Sequence, residues 1–241
     1  MKYVMVLWCA LLFFASTASA AVTVNEQVLQ KGLFFDSACK GENQCMCEAD
    51  IKYPVINGMA DAHAQEVLNK SFKDAATQVQ CKGEASKEAP KDTDSSIKYS
   101  YEVTFQSPQI MGLEFTNWAY EGGAHGNGII EGMIFDLEKN KYLTADDIFG
   151  ANMAAVNQAI YDALAPNSEG IFHDEIESRK GAFIKDGKCN GCTLVLKPEG
   201  INVIFQLYEI ASFADGNKSV SIPDKLIAYP AILKALSQTK S

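Results

Sequence analysis

Residues 97–105 read IKYSYEVTF: Ile97, Tyr99, Tyr101, Val103 and Phe105 alternate strictly with Lys98, Ser100, Glu102 and Thr104. A period of two belongs to a strand whose successive side chains point to opposite faces. Here one face is apolar and the other polar, which suits a sheet half buried on one side. Residues 112–120 and 128–136 continue in the same period, joined by a short Gly-rich linker, 121–127, that holds His125. Three such strands in one block decide the fold class. It is α+β, with a mostly antiparallel sheet packed against amphipathic helices.

Working outward, residues 50–56 (DIKYPVI) read as another strand, with Pro54 at an edge or bulge, closed by the turn pair Asn57-Gly58. Ala64, Val67, Leu68, Phe72, Ala75 and Val79 follow helical spacing over 61–79. Residues 82–96 are polar and without period, and residues 21–42 read as an irregular arm. On the C-terminal side, Thr144-Ala145-Asp146-Asp147 has the form of a capped helical turn. Met153, Val156, Ile160 and Leu164 define a helix, and residues 170–180 a third. A hairpin follows over 192–208, where Gly200 supplies the positive φ of a tight turn, then a short strand at 220–222 and a helical tail from Pro223.

The N-terminus has the three parts of a cleavable signal peptide. Lys2 gives the positive end, residues 4–15 (VMVLWCALLFFA) the apolar run, and Ala18-Ser19-Ala20 the small-residue cleavage site before Ala21. The run is too short for a membrane helix of about 20 residues. The expected organisation is therefore a signal peptide at 1–20, an arm plus strand–helix subdomain at 21–96, and a C-terminal domain at 97–241. The expected location is the periplasm or the medium.

The whole chain carries a formal charge of -9, and loss of residues 1–20 removes Lys2, leaving 20 Lys and Arg against 30 Asp and Glu. Such a chain repels phosphate backbones, so nucleic acid is excluded as a partner and a basic protein favoured. Six cysteines remain: Cys39, Cys45, Cys47, Cys81, Cys189 and Cys192. An even set in an exported chain reads as disulfides rather than a metal cluster. Cys47 opens a strand and Cys81 ends the helix returning antiparallel to it, so those two should meet, leaving Cys39 with Cys45. Cys189-Asn190-Gly191-Cys192 reads as a disulfide clipping a turn; a redox pair would need a context that stabilises thiolate. His63 and His173 form no ligand pairing, and the sequence implies neither a metal nor a cofactor.

Three segments carry a resemblance. They are Trp118-Ala119-Tyr120-Glu121-Gly122-Gly123-Ala124-His125-Gly126-Asn127; Phe135-Asp136-Leu137; and Leu143-Thr144-Ala145-Asp146-Asp147-Ile148-Phe149. With Gly200-Ile201-Asn202-Val203-Ile204-Phe205, Tyr208-Glu209-Ile210-Ala211, Ala214-Asp215-Gly216 and Val220-Ser221-Ile222-Pro223, they resemble the domain of unknown function 3298 found in the extracytoplasmic half of the RsiV anti-sigma factor. The likeness covers most of residues 97–236. Residues 50–79 are similar to the small strand–helix domain that precedes it, also present in some peptidoglycan deacetylases as a non-catalytic module. The resemblance implies an α+β fold outside the membrane and, in its best understood member, binding of lysozyme. That member has a cytoplasmic segment and a membrane helix where this chain has a cleavable signal.

The candidate binding residues are Trp118, Tyr120, Glu121, His125, Asn127, Tyr208 and Glu209, an aromatic and acidic set at the ends of expected strands. They suit a basic partner or a glycan. His125 is read either as a general base or as an imidazole that fixes a turn whose positive φ comes from Gly122, Gly123 and Gly126. No nucleophile accompanies it at a diagnostic spacing, so no residue is assigned as catalytic. The leading expectation is an exported soluble module that binds or inhibits a lysozyme-type cell-wall hydrolase. The rivals are an envelope hydrolase centred on His125 with Glu121 or Glu209, and a structural envelope protein.

Overall fold

The computed structural model describes residues 21–35, 46–82, 84–85, 95–165 and 170–239. The expected signal peptide and the pair Cys39 and Cys45 lie outside the described residues. The N-terminal half runs β1 (Thr23–Phe35), β2 (Met46–Asn57), α1 (Ala62–Gln78), β3 (Ser95–Gln106), β4 (Ile110–Tyr120), β5 (Asn127–Asp136) and β6 (Lys141–Tyr142). The rest runs α2 (Ala145–Phe149), α3 (Met153–Leu164), α4 (His173–Ser178), β7 (Ile184–Lys185), β8 (Lys188–Cys189), β9 (Cys192–Lys197), β10 (Gly200–Phe205), β11 (Lys218–Ile222) and α5 (Pro230–Thr239).

The first six strands form one sheet in chain order. Its pairs are antiparallel except β2 with β3, which run parallel from Cys47 opposite Ser95 to Ile51 opposite Tyr99. That parallel pair needs a crossover, and α1 supplies it. Asp61 caps α1 by accepting from the Ala64 amide, and Leu68, Phe72 and Ala76 bury one stripe of it against the sheet. Val67 and Ala75, expected on that stripe, face outward, whereas Ala64 and Val79 pack against the core and Asn69 bonds both backbone groups of Ile56. Pro54 lies beyond the stretch of β2 paired with β3 and close to the bulge between Val28 and Gln30, so its missing N–H leaves no gap.

The arm expected at 21–42 is instead a strand over the described residues 23–35. β1 is an edge strand, mostly exposed, and its bulge breaks the period that would have revealed it. A second bulge, between Val103 and Phe105, divides the stretch that decided the fold. Tyr99 faces the core beneath α1, whereas Phe105 turns to the core on the opposite face.

That opposite core is built by β9, β10, β11, α3 and α5, with Ile110 and Ile134 contributed by the large sheet. The backbones approach closely where two glycines allow it. A Cβ on Gly132 would sit 2.0 Å from the Leu194 carbonyl oxygen, and one on Gly112 3.1 Å from that of Leu196. The far end is latched by Asp136, which is buried; its Oδ2 accepts from the Tyr229 hydroxyl at 2.6 Å. Thr144 and Asp147 form the expected capping box of α2. No described helix is long and apolar enough to cross a membrane.

Candidate functional site

The loop after β4 is shaped by its glycines in two different ways. Gly122 and Gly123 take φ values of 91° and 96°, as expected. Gly126 does not have positive φ; it is needed because a Cβ there would lie 2.3 Å from the Trp118 ring. Trp118 thus packs on the returning chain, and the Tyr120 hydroxyl donates to the Gly123 carbonyl at 3.1 Å.

His125 is held on three sides. Its Nδ1 lies 2.9 Å from the Gly126 carbonyl oxygen, which can only accept, so Nδ1 carries the proton. Nε2 then accepts from the Tyr208 hydroxyl at 3.0 Å. The ring stacks on Phe213 with centroids 3.8 Å apart. Tyr208 itself sits at φ 66°, an uncommon conformation for a non-glycine residue. The β4–β5 loop and the chain after β10 are joined through these three rings.

Beside this anchor an open trough runs along β4 and β5 on the face that carries α1. One part, of about 400 Å³, is lined by Asn117, Ala119, Glu121, His125, Asn127 and Ile129. Ile129 continues into a second part of about 500 Å³, which includes Ser71 and Phe72 of α1, Tyr99, Glu131 and Tyr142. Among the described residues, no Lys or Arg lines either part. Ile129 and Tyr142 are 49% and 47% exposed, so apolar surface is offered to a partner alongside the carboxylates. Tyr99 lies at the floor; burial first, then the Glu131 charge, pushes its pKa up to about 12.

The trough wall on the β5 side is closed by the second sheet. The Gln206 amide bonds both backbone groups of Ile130, accepting from N at 2.9 Å and donating to O at 2.6 Å. Thr193 Oγ1 accepts from the Gly132 amide at 2.8 Å. These side chains satisfy the free edge of β5 in place of another strand.

Of the residues singled out in the sequence, Glu121, His125 and Asn127 line the trough and Tyr208 touches it through His125. Trp118 and Tyr120 hold the loop. Glu209 is turned elsewhere, its Oε2 2.8 Å from Arg179. Sequence reasoning missed Asn117, Ile129, Glu131, Tyr142 and Phe213. The period of β5 already placed Ile129 and Glu131 on one face; Tyr142, on a two-residue strand, gave no signal. Among the described residues no group of His, Cys, Asp or Glu is placed to hold a metal.

Cys47 and Cys81 are bridged, Cα atoms 6.0 Å apart, tying the start of β2 to the chain just after α1. Cys189 and Cys192 are bridged across their own turn.

Fold and site together define a disulfide-bearing α+β module with an acidic, aromatic-lined trough. Residues 39–128 match the family described as Deacetylase PdaC, and residues 136–225 the Protein of unknown function DUF3298. The chain thus carries a PdaC-like domain followed by a DUF3298 domain. The peptidoglycan-N-acetylmuramic acid deacetylase PdaC of Bacillus subtilis is 25% identical over 136 residues, 55% of this chain. The match spans only 28% of that relative's own length. A DUF3298 family member from Bacteroides fragilis superposes with a TM-score of 0.60 at 15% identity, covering 91% of this chain and 99% of its own. Another from Pseudomonas aeruginosa gives 0.55 at 14%, covering 89% and 97%. At such identities the likeness is one of fold.

Proposed function

We propose that this protein is an exported binding module of the cell envelope, periplasmic or secreted, whose trough takes a basic protein, a lysozyme-type cell-wall hydrolase being the leading candidate. The observation that carries this reading is the lining of the trough. Carboxylates at Glu121 and Glu131 flank exposed Ile129 and Tyr142, with no Lys or Arg among the described lining residues. Apolar anchors ringed by charge of one sign suit a partner of the opposite sign. The formal charge of -9 on the whole chain works in the same direction at longer range. Two disulfides agree with an oxidising compartment. The name of the Bacillus subtilis relative places that protein's activity on peptidoglycan, where a partner hydrolase would also act.

His125 supports anchoring over catalysis. Both ring nitrogens are engaged by structural partners, and Glu209, once a possible companion, is paired with Arg179. The test is a pull-down of the secreted protein against cationic cell-wall hydrolases beside a hydrolase screen. The reading expects capture without turnover; turnover that depends on His125 would replace it with the enzyme reading.

A further inference from the structure

The two bridged pairs sit in opposite surroundings. Cys47 and Cys81 are 2% and 5% exposed. Cys189 and Cys192 are half-buried, and both line an open cavity of about 380 Å³ with Lys188; Cys192 also lines the trough. Arg179, from the end of α4, packs on the turn between them. Its Nη1 donates to the Asn190 carbonyl at 3.1 Å and lies 2.9 Å from where a Gly191 Cβ would be, while the Glu209 carboxylate, paired with Arg179 at 2.8 Å, lies nearer still. An Arg–Glu pair thus borders the turn, and the cationic side chain that shares the open cavity with both cysteines is Lys188. Cys192 Sγ lies 3.7 Å from the Phe183 carbonyl oxygen, an acceptor in place for its S–H once the bridge is open.

We propose that Cys189 and Cys192 form a thiol–disulfide exchange site that takes an external dithiol. A thiolate of the dithiol attacks Cys189 Sγ, and the Cys192 sulfur leaves and takes a proton. The second thiol of the donor then attacks the mixed disulfide and releases Cys189 as a thiol. Two electrons and two protons pass to the protein, and the donor leaves as a disulfide.

The turn is wired to the trough wall. The Gln206 amide N donates to the Gly191 carbonyl at 3.0 Å, while the Gln206 side chain grips Ile130. Thr193, next to Cys192, accepts from Gly132. Opening the bridge loosens both supports of the β5 edge. The exchange site stands apart from the function proposed above; a loss of partner affinity on reduction rests on that reading.

The experiment titrates the intact secreted protein with dithiothreitol under native conditions, traps thiols with N-ethylmaleimide and maps them by peptide mass. Hydrogen exchange follows the Ile130 and Gly132 amides in the same samples. Cys189 and Cys192 should be alkylated at about tenfold less reductant than Cys47 and Cys81, and the two amides should exchange faster once they are. A Cys189→Ser, Cys192→Ser variant should show the same fast exchange without reductant. Equal or reversed reductant demand at the two bridges, or amide exchange unmoved after selective reduction, would overturn the proposal whether or not a partner binds.

Discussion

The Nε2 of His125 accepts a hydrogen bond from the Tyr208 hydroxyl at 3.0 Å, across 83 positions of sequence. This contact, with the Phe213 stack, fastens the loop at one end of the trough to the sheet behind it. His125→Ala should lower unfolding free energy by about 1–3 kcal/mol, and Tyr208→Phe by about 1 kcal/mol. A double-mutant cycle in denaturant melts should give a coupling of about 0.5–2 kcal/mol. Additive losses would mean that the two rings do not hold each other.

The glycines of the loop should separate by mechanism. Gly126→Ala forces a Cβ to 2.3 Å from the Trp118 ring, a clash, whereas Gly123→Ala meets nothing within 4 Å and carries only the strain of its φ. The first should cost about 2–4 kcal/mol through overpacking, the second about 1–2 kcal/mol. Melting curves giving the reverse order would refute this account of the loop.

This difference also marks where the sequence was legible. The period of two over residues 97–136 was enough to place β3, β4 and β5, because burial on one face enforces it. It was not enough to show that Phe105 crosses to the other core, since a bulge leaves no trace in composition. β1 was hidden because an edge strand is exposed on both sides of the pattern. Glu121, His125 and Asn127 were found through a single loop. Glu131 and Tyr142 join them only because β5 and β6 are brought beside α1, and Glu209 was misleading because its partner, Arg179, is 30 positions away.

Tyr99 offers a test by pH. The folded chain holds its phenol proton up to about 12, against 10.0 ordinarily. Its contribution to stability is therefore whole below pH 10 and is lost as pH climbs from there to about 12, since the unfolded chain releases the proton first. Burial also raises Tyr101 and Tyr229, so ultraviolet titration should show a late phenolate signal that Tyr99→Phe reduces. Glu131→Gln should bring that phenolate in earlier, and an unchanged late step would remove Glu131 from the trough floor.

The latch at the opposite end should be independent of all these. Tyr229→Phe deletes the 2.6 Å bond to buried Asp136 and should cost about 1–3 kcal/mol. Combined with His125→Ala, the losses should add to within about 0.5 kcal/mol. Strong coupling in chemical denaturation would contradict two separate fastenings.

The central claim is that the acidic trough receives a basic partner, and calorimetric titration of the purified protein with a cationic lysozyme tests it most directly. Glu121→Lys with Glu131→Lys should weaken binding by tenfold or more, about 1.4 kcal/mol, and the wild-type affinity should fall as salt rises through the range where exposed charges are screened. His125→Ala should keep most of the affinity at temperatures where it stays folded. Binding that ignores both the charge reversals and the salt, or no binding by a fully folded wild-type chain, would contradict the account.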